Sequence, residues 1–142
     1  MDRRILVPVD GSEQAMDAAS FAMAEYPDAE LVLLHVINPT EAGYSAQASI
    51  PSFSEEWYDR AKEQAEELFE EIRAEANESA VTVSSDIVVG KPARAIVEYA
   101  DDHDIDQIVM GSHGRSGVTR ILLGSVAESV VRDSTVPVTV AR

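Results

Sequence analysis

Ile105-Asp106-Gln107-Ile108-Val109-Met110 runs directly into Gly111-Ser112-His113-Gly114, and after nine intervening residues the chain reaches Gly124-Ser125. The largely apolar run reads as a buried strand, and the glycines begin where that strand must end. Backbone amides are therefore freed at the carboxyl edge of a sheet. Glycine admits positive φ and close backbone approach, which lets successive N–H groups converge on an oxyanion. From Gln107 to Ala127 there is no Asp or Glu, in a chain whose formal charge is −15. An anion can approach there without meeting like charge. Ser125-Val126-Ala127-Glu128 has the Ser-x-x-Glu spacing of a capping box, which predicts a helix capped by Ser125 whose amino end adds its dipole to the cradle.

Outward from this stretch, β-like runs alternate with helical ones. Arg4 to Val9, Glu30 to Ile37, Val81 to Val89, Ile105 to Met110 and Pro137 to Ala141 read as strands. The alternation predicts an α/β protein with a mainly parallel sheet. Ser12 is placed to cap a first helix that turns Ala15, Ala18, Ala19 and Ala22, with Met16 and Met23, toward the sheet. A second helix carries the stripe Ala61, Ala65, Leu68, Phe69, Ile72 and Ala76, with Trp57 and Tyr58 expected to pack at its start. A third begins at Pro92, a residue suited to the first helical position, and is expected to bury Ala95, Ile96, Tyr99 and Ala100. The segment 38–54, rich in Ser, Ala, Gly and Pro, is the one long irregular stretch and reads as a flexible loop. Residues 1–142 are expected to form a single domain.

Composition narrows the function classes. With 26 acidic against 11 basic residues there is no basic face to neutralise nucleic-acid phosphates or anionic lipid, so neither nucleic acid nor membrane is an expected partner. No apolar run approaches the roughly 18 residues that span a bilayer, and no secretory leader is legible, so a cytoplasmic location is expected. The chain has no cysteine, which removes disulfides, thiolate metal sites and cysteine nucleophiles. Acids crowd Glu55 to Glu78 and Asp101 to Asp106, and Lys62 and Lys91 are the only lysines. That balance fits a halophilic protein, whose carboxylate repulsion is screened by concentrated salt. Sequence signatures of P-loop, dinucleotide and H-E-x-x-H metal sites are missing, and His35, His103 and His113 do not have metal-ligand spacing. His35 reads as a packed strand residue and His103 as a surface one.

Met110-Gly-Ser-His-Gly-Arg-Ser-Gly117, Gly124-Ser-Val-Ala-Glu128 and Pro137-Val138 together resemble the universal stress protein family, in its nucleotide-binding branch with the pattern G-x2-G-x9-G-[ST]. The resemblance extends to Ile5-Leu-Val-Pro-Val-Asp-Gly-Ser12, Leu33-Leu-His-Val36 and Gly90-Lys-Pro92, essentially the full chain. It implies an open, doubly wound, Rossmann-like fold of five parallel strands in the order 3-2-1-4-5, with helices on both faces. The order reverses direction between the first and fourth strands, and ligands bind at such a switch point outside the carboxyl ends. Asp10 and Gly111 then converge on one crevice.

The same resemblance implies ATP as ligand, with Mg2+ or Mn2+ carried through its phosphates. Gly114, Gly124, Ser125 and the Val126 amide would meet the triphosphate, Gly111 would lie nearer the ribose, and Pro8, Val9 and Val36 would lie at the level of the adenine. Met110 and Arg115 complete the candidate cofactor-binding set. Asp10 has two readings, bracing the first helix or serving the ribose hydroxyls and a nucleotide-bound cation. Arg115 is a stronger phosphate partner than Arg120. The implied function is that of a nucleotide-dependent sensor or regulatory module in stress response, homodimeric through the terminal strand 136–141, with an unknown protein partner. The alternatives are a slow ATP hydrolase or nucleotidyl-transfer enzyme on the same site, and a dimeric interaction protein that binds no nucleotide.

Overall fold

Strands and helices alternate along the whole of the computed structural model, which describes residues 3–39, 55–112 and 123–141. In chain order the elements are β1 (Arg4–Pro8), α1 (Glu13–Glu25), β2 (Glu30–Ile37), α2 (Glu55–Ser79), β3 (Thr82–Val89), α3 (Pro92–Asp102), β4 (Gln107–Gly111), α4 (Ser125–Asp133) and β5 (Val138–Ala141). All five strands are parallel and form one sheet in the order β3-β2-β1-β4-β5. This is the α/β, Rossmann-like architecture expected from the sequence. The expected strands are recovered with ends shifted by one or two residues, β2 without any shift. Segment 40–54, most of the anticipated loop, lies outside the described residues.

The three central strands β1, β2 and β4 bury both faces, as the middle of a parallel sheet between helices must. Ile5, Val7, Leu31, Leu33 and Val109 pack with α1 and α2, whose contributions include Ala15, Ala18, Ala19, Ala22, Ala65, Phe69, Ile72 and Ala76. On the other face Leu6, Val32, Leu34, Ile108 and Met110 pack with Ile96, Tyr99 and Ala100 of α3 and Ala127 and Val130 of α4. Both helical stripes therefore face the sheet as predicted, although Met16, Ala61, Leu68 and Ala95 are half-buried. Trp57 and Tyr58 are also half-buried, with the Lys62 ammonium 5.5 Å from the Tyr58 ring centroid.

Local rules set the helix starts. Ser12 has an extended conformation and its Oγ accepts the Ala15 N–H at 3.1 Å, an N-cap bond. Pro92 opens α3 behind Lys91. The alanines of α1 bring that helix close to β4. A Cβ built on Gly111 would stand 2.7 Å from the Gln14 Cβ and 2.8 Å from its backbone carbon and oxygen. No side chain fits there. No helix among the described residues is long and apolar enough to cross a membrane.

The amino edge of the sheet is pinned by polar groups. Asp106 accepts the Arg4 N–H at 2.8 Å and returns its own N–H to the Arg4 carbonyl at 2.9 Å. The buried Gln107 amide donates to Thr139 Oγ1 at 2.8 Å and to the Tyr26 hydroxyl at 3.1 Å, while its oxygen accepts from Arg3. On the α3 face the Tyr99 hydroxyl donates to Asp86 Oδ2 at 3.0 Å. Its phenol is pushed up to about 12, first by burial and then by the hydrogen bond to Asp86 and the charge of that carboxylate.

Two outcomes follow from these contacts. Gly111→Ala drives a methyl group into the backbone of α1, so ligand-free protein should lose about 1–3 kcal/mol of stability by overpacking; an unchanged melting temperature would contradict the contact. Tyr99 holds its proton more tightly in the folded chain. Its contribution is complete below the ordinary tyrosine value of 10.0 and is lost as pH climbs through about 12. Alkaline unfolding followed by circular dichroism should therefore steepen across that interval, and Tyr99→Phe should flatten it.

Candidate functional site

The crevice opens where β1 and β4 part. Their ladder contains two residue pairs, Ile5 with Gln107 and Leu6 with Ile108, whereas β1 pairs with β2 over five. Beyond that point β1 enters the turn Val9–Ser12 and β4 enters Gly111–Ser112, with no strand continuing between them. This is the switch point of the sheet, at its carboxyl edge.

On the β1 side the backbone is tightly held. Val9 is buried, donates its N–H to the Leu34 carbonyl at 2.9 Å, and its own carbonyl lies 2.8 Å from the Nδ1 of buried His35. Asp10 Oδ1 accepts the Ser12 N–H at 3.0 Å, and Gly11 between them has φ +88°, in the left-handed region that glycine tolerates. The bracing role read from the sequence for Asp10 is therefore realised. Pro8 and Val36 are half-buried at the ends of β1 and β2.

On the β4 side, Met110 and Ser112 are nearly closed off from solvent. The Ser112 N–H reaches the Ala141 carbonyl at 3.1 Å, and its carbonyl accepts the Gly124 N–H at 2.7 Å. The latter bond brings together the two points at which the chain leaves β4 and enters α4. Gly114, Arg115, His113 and Arg120 lie outside the described residues.

The start of α4 corrects one expectation. Ser125 does not cap the helix; Gly124 does, with φ −68° and ψ 165° and no side-chain cap bond. The reason is the Gly124–Ser112 tie, which holds Gly124 in the extended cap conformation and starts the helix one residue earlier than a Ser125 cap would. Ser125 thus occupies the first helical position and is exposed. Glu128, instead of closing a capping box, pairs with Arg132 at 3.5 Å. An α-helix leaves its leading amides without intrahelical partners. Those of Ser125, Val126 and Ala127 are in that position, with no side chain of the cap residue turned back on them. The Gly124 amide itself is spent on Ser112, so this glycine offers an anion close approach, and the residues after it offer the donors.

Gly111 serves the fold first, since it seats the first turn of α1 against β4. Sequence reasoning gave no separate role to Ser112 or to the His35 contact with Val9. The position of Ser112 between a strand-end glycine and a returning glycine was the available signal for the first, and nothing local in the sequence announced the second. Among the described residues, no group of three or more His, Asp or Glu side chains is arranged to hold a metal ion. A cation here would depend on ligands that an anion brings with it.

Comparisons with known proteins agree with this fold. The profile of the Universal stress protein family matches residues 1–142. Universal stress protein MJ0531 of Methanocaldococcus jannaschii is 36% identical over 143 residues, covering 99% of this chain and 82% of its own. Universal stress protein MJ0577 of the same organism is 36% identical over 157 residues, covering 100% and 96%. The solved structure of MJ0577 superposes with a TM-score of 0.85 at 37% identity, over 99% of this chain and 96% of that one. A universal stress protein solved in complex with cAMP aligns with a TM-score of 0.65 at 26% identity, over 99% and 96%. A full-length family match, relatives above a third identical and a closely superposing solved structure lead to one conclusion: this chain belongs to the universal stress protein family.

Proposed function

We propose that this protein binds ATP at the β1–β4 crevice and works as a nucleotide-dependent sensor or regulatory module in a stress response. The observation that carries the reading is the start of α4, where leading amides without a side-chain cap open at the switch point of the sheet, in a stretch free of carboxylates. The adenine-nucleotide complex of a related family member supports the class of ligand. In this reading Pro8, Val9 and Val36 lie at the level of the base, their backbone fixed by the Leu34 and His35 contacts. Asp10 faces the ribose and a nucleotide-bound Mg2+ or Mn2+. The phosphates lie against the Ser125 and Val126 amides, with Gly114 and Arg115 added by family resemblance. ATP brings the phosphate oxygens on which such a cation chiefly rests. Occupancy, read by a protein partner, is the signal.

The second copy of the chain belongs to the same proposal. β5 is an edge strand with apolar Val138 and Val140 half-exposed, and family resemblance pairs two such strands about a twofold axis. Unpaired edges are ordinarily covered or paired.

Gly124→Asp separates binding from folding. The backbone of Gly124 is already in the extended cap conformation, where Asp is among the preferred residues and replaces Gly at a gain of a few tenths of a kcal/mol. The variant should keep its melting temperature while its carboxylate turns onto the amides meant for phosphate. Titration with ATP, ADP and AMP should show affinity lost in the variant; equal affinity in both proteins removes α4 from the site. Mass spectrometry of small molecules released from denatured wild-type protein should find an adenine nucleotide. Light scattering at micromolar concentration should give twice the chain mass, and a monomer there overturns the dimer.

A further inference from the structure

The sheet has two edges, β3 and β5, and they differ in kind. β3 is the longer, eight residues against four, and much of it, Thr82, Val83, Ile87, Val88 and Val89, is of the β-branched type that favours strand pairing. Val89 is 47% exposed. A long, β-branched, half-exposed edge is the kind that recruits further strands. The hydrogen-bond parity along β3 identifies which backbone groups face outward. Gly90 donates its N–H to the Ile37 carbonyl, and Thr82 to Val89 pair in register with Glu30 to Ile37. In a parallel ladder the residues that bond to a given neighbour alternate. Ser84, Asp86 and Val88 therefore bond inward to β2, and Val83, Ser85, Ile87 and Val89 present their N–H and C=O groups to the outer edge, along which no described strand pairs.

At the third of these outward positions the amide is already taken. The Ile87 N–H donates to Oδ1 of Asp86, its sequence neighbour, at 2.9 Å. The other oxygen of the same carboxylate accepts the Tyr99 hydroxyl from α3 at 3.0 Å, so the carboxylate is held from two sides. On the opposite face of the strand Arg73 of α2 donates to Ser85 Oγ and pairs with Glu70 at 3.2 Å. Charge thus flanks the middle of this edge on both faces. β5 carries no charged residue between Val138 and Ala141.

We propose that Asp86 is a guard of the β3 edge: it occupies the outward amide of Ile87, sets a fixed negative charge beside it, and so confines strand addition on this sheet to the β5 edge. A second copy of the chain is the partner excluded. Twofold pairing through the middle of β3 would bring two Asp86 carboxylates close together, and like charges across paired strands destabilise the pairing. The inference is independent of nucleotide binding.

The test compares Asp86→Val with Asp102→Val, which removes the same charge from an exposed position at the end of α3. Multi-angle light scattering across micromolar concentrations should find Asp86→Val forming species heavier than wild type, increasing with concentration, and Asp102→Val at the wild-type mass. Native circular dichroism with a wild-type mass for Asp86→Val, or equal assembly of both variants, overturns the proposal. Hydrogen exchange on the wild-type protein decides the matter even if Asp86→Val fails to fold. The Ile87 amide should exchange at least about tenfold more slowly than the outward amides of Val83 and Val89, which have no carboxylate next to them in sequence. Equal rates would mean that the carboxylate does not hold that amide, and the guard is refuted.

Discussion

The ladder between β1 and β4 stops after two residue pairs, and the carboxyl edge of the molecule is organised by that stop. Had the two strands continued side by side, Asp10 and Gly111 would spend their backbone groups on the ladder between them, since Val9 and Ser112 bond to the outer neighbours β2 and β5. Instead each strand leaves the sheet by its own turn. The turn after β1 is tied by Asp10 to Ser12, and the chain after β4 is tied by Ser112 to Gly124. The first turn of α1 then settles against Gly111 with no room for a Cβ. Gly111 thus sets the close packing of α1 on β4, while the end of the β1–β4 ladder sets where the two strands part.

The two ends of the sheet divide the work. At the amino end polar side chains pair with one another, Asp106 with the Arg4 backbone, Gln107 with Arg3, Tyr26 and Thr139, and Glu30 with Arg4 and Ser84, with Arg4 Nε buried and left over among the described residues. Burying a polar group is tolerable when it is hydrogen-bonded, and this network ties β1, β2, β3, β4 and β5 together. At the carboxyl end the residues are small, the leading amides of α4 have no side-chain cap, and acidic groups are absent from 107 to 127. A rigid frame at one end positions a receptive site at the other.

The edges follow a similar economy. β5 is short and uncharged, whereas β3 is long and guarded. A sheet whose two edges were equally receptive could build open chains of copies. A sheet with one receptive edge closes as a pair when that edge is self-complementary.

Much of this was legible in the sequence because it rests on local rules. The apolar runs located all five strands, Ser12 and Pro92 marked two helix starts, and the glycines past Met110 together with the acid-free stretch located the candidate crevice. Hydrophobic periodicity and cap chemistry act over a few residues, so a chain displays them before it folds. Three features waited for the tertiary structure: the shift of the α4 cap from Ser125 to Gly124, the grip of His35 on the Val9 carbonyl, and the use of Asp86 on an outward amide. The first depends on a bond between residues 112 and 124, the second on one between 9 and 35. The third is a bond between sequence neighbours, yet only the strand order makes β3 an edge and gives that bond a consequence. Pattern along a chain fixes which residues seek burial and which break a helix. Which hydrogen-bonding groups remain available is decided when distant segments meet and each donor is either taken or left.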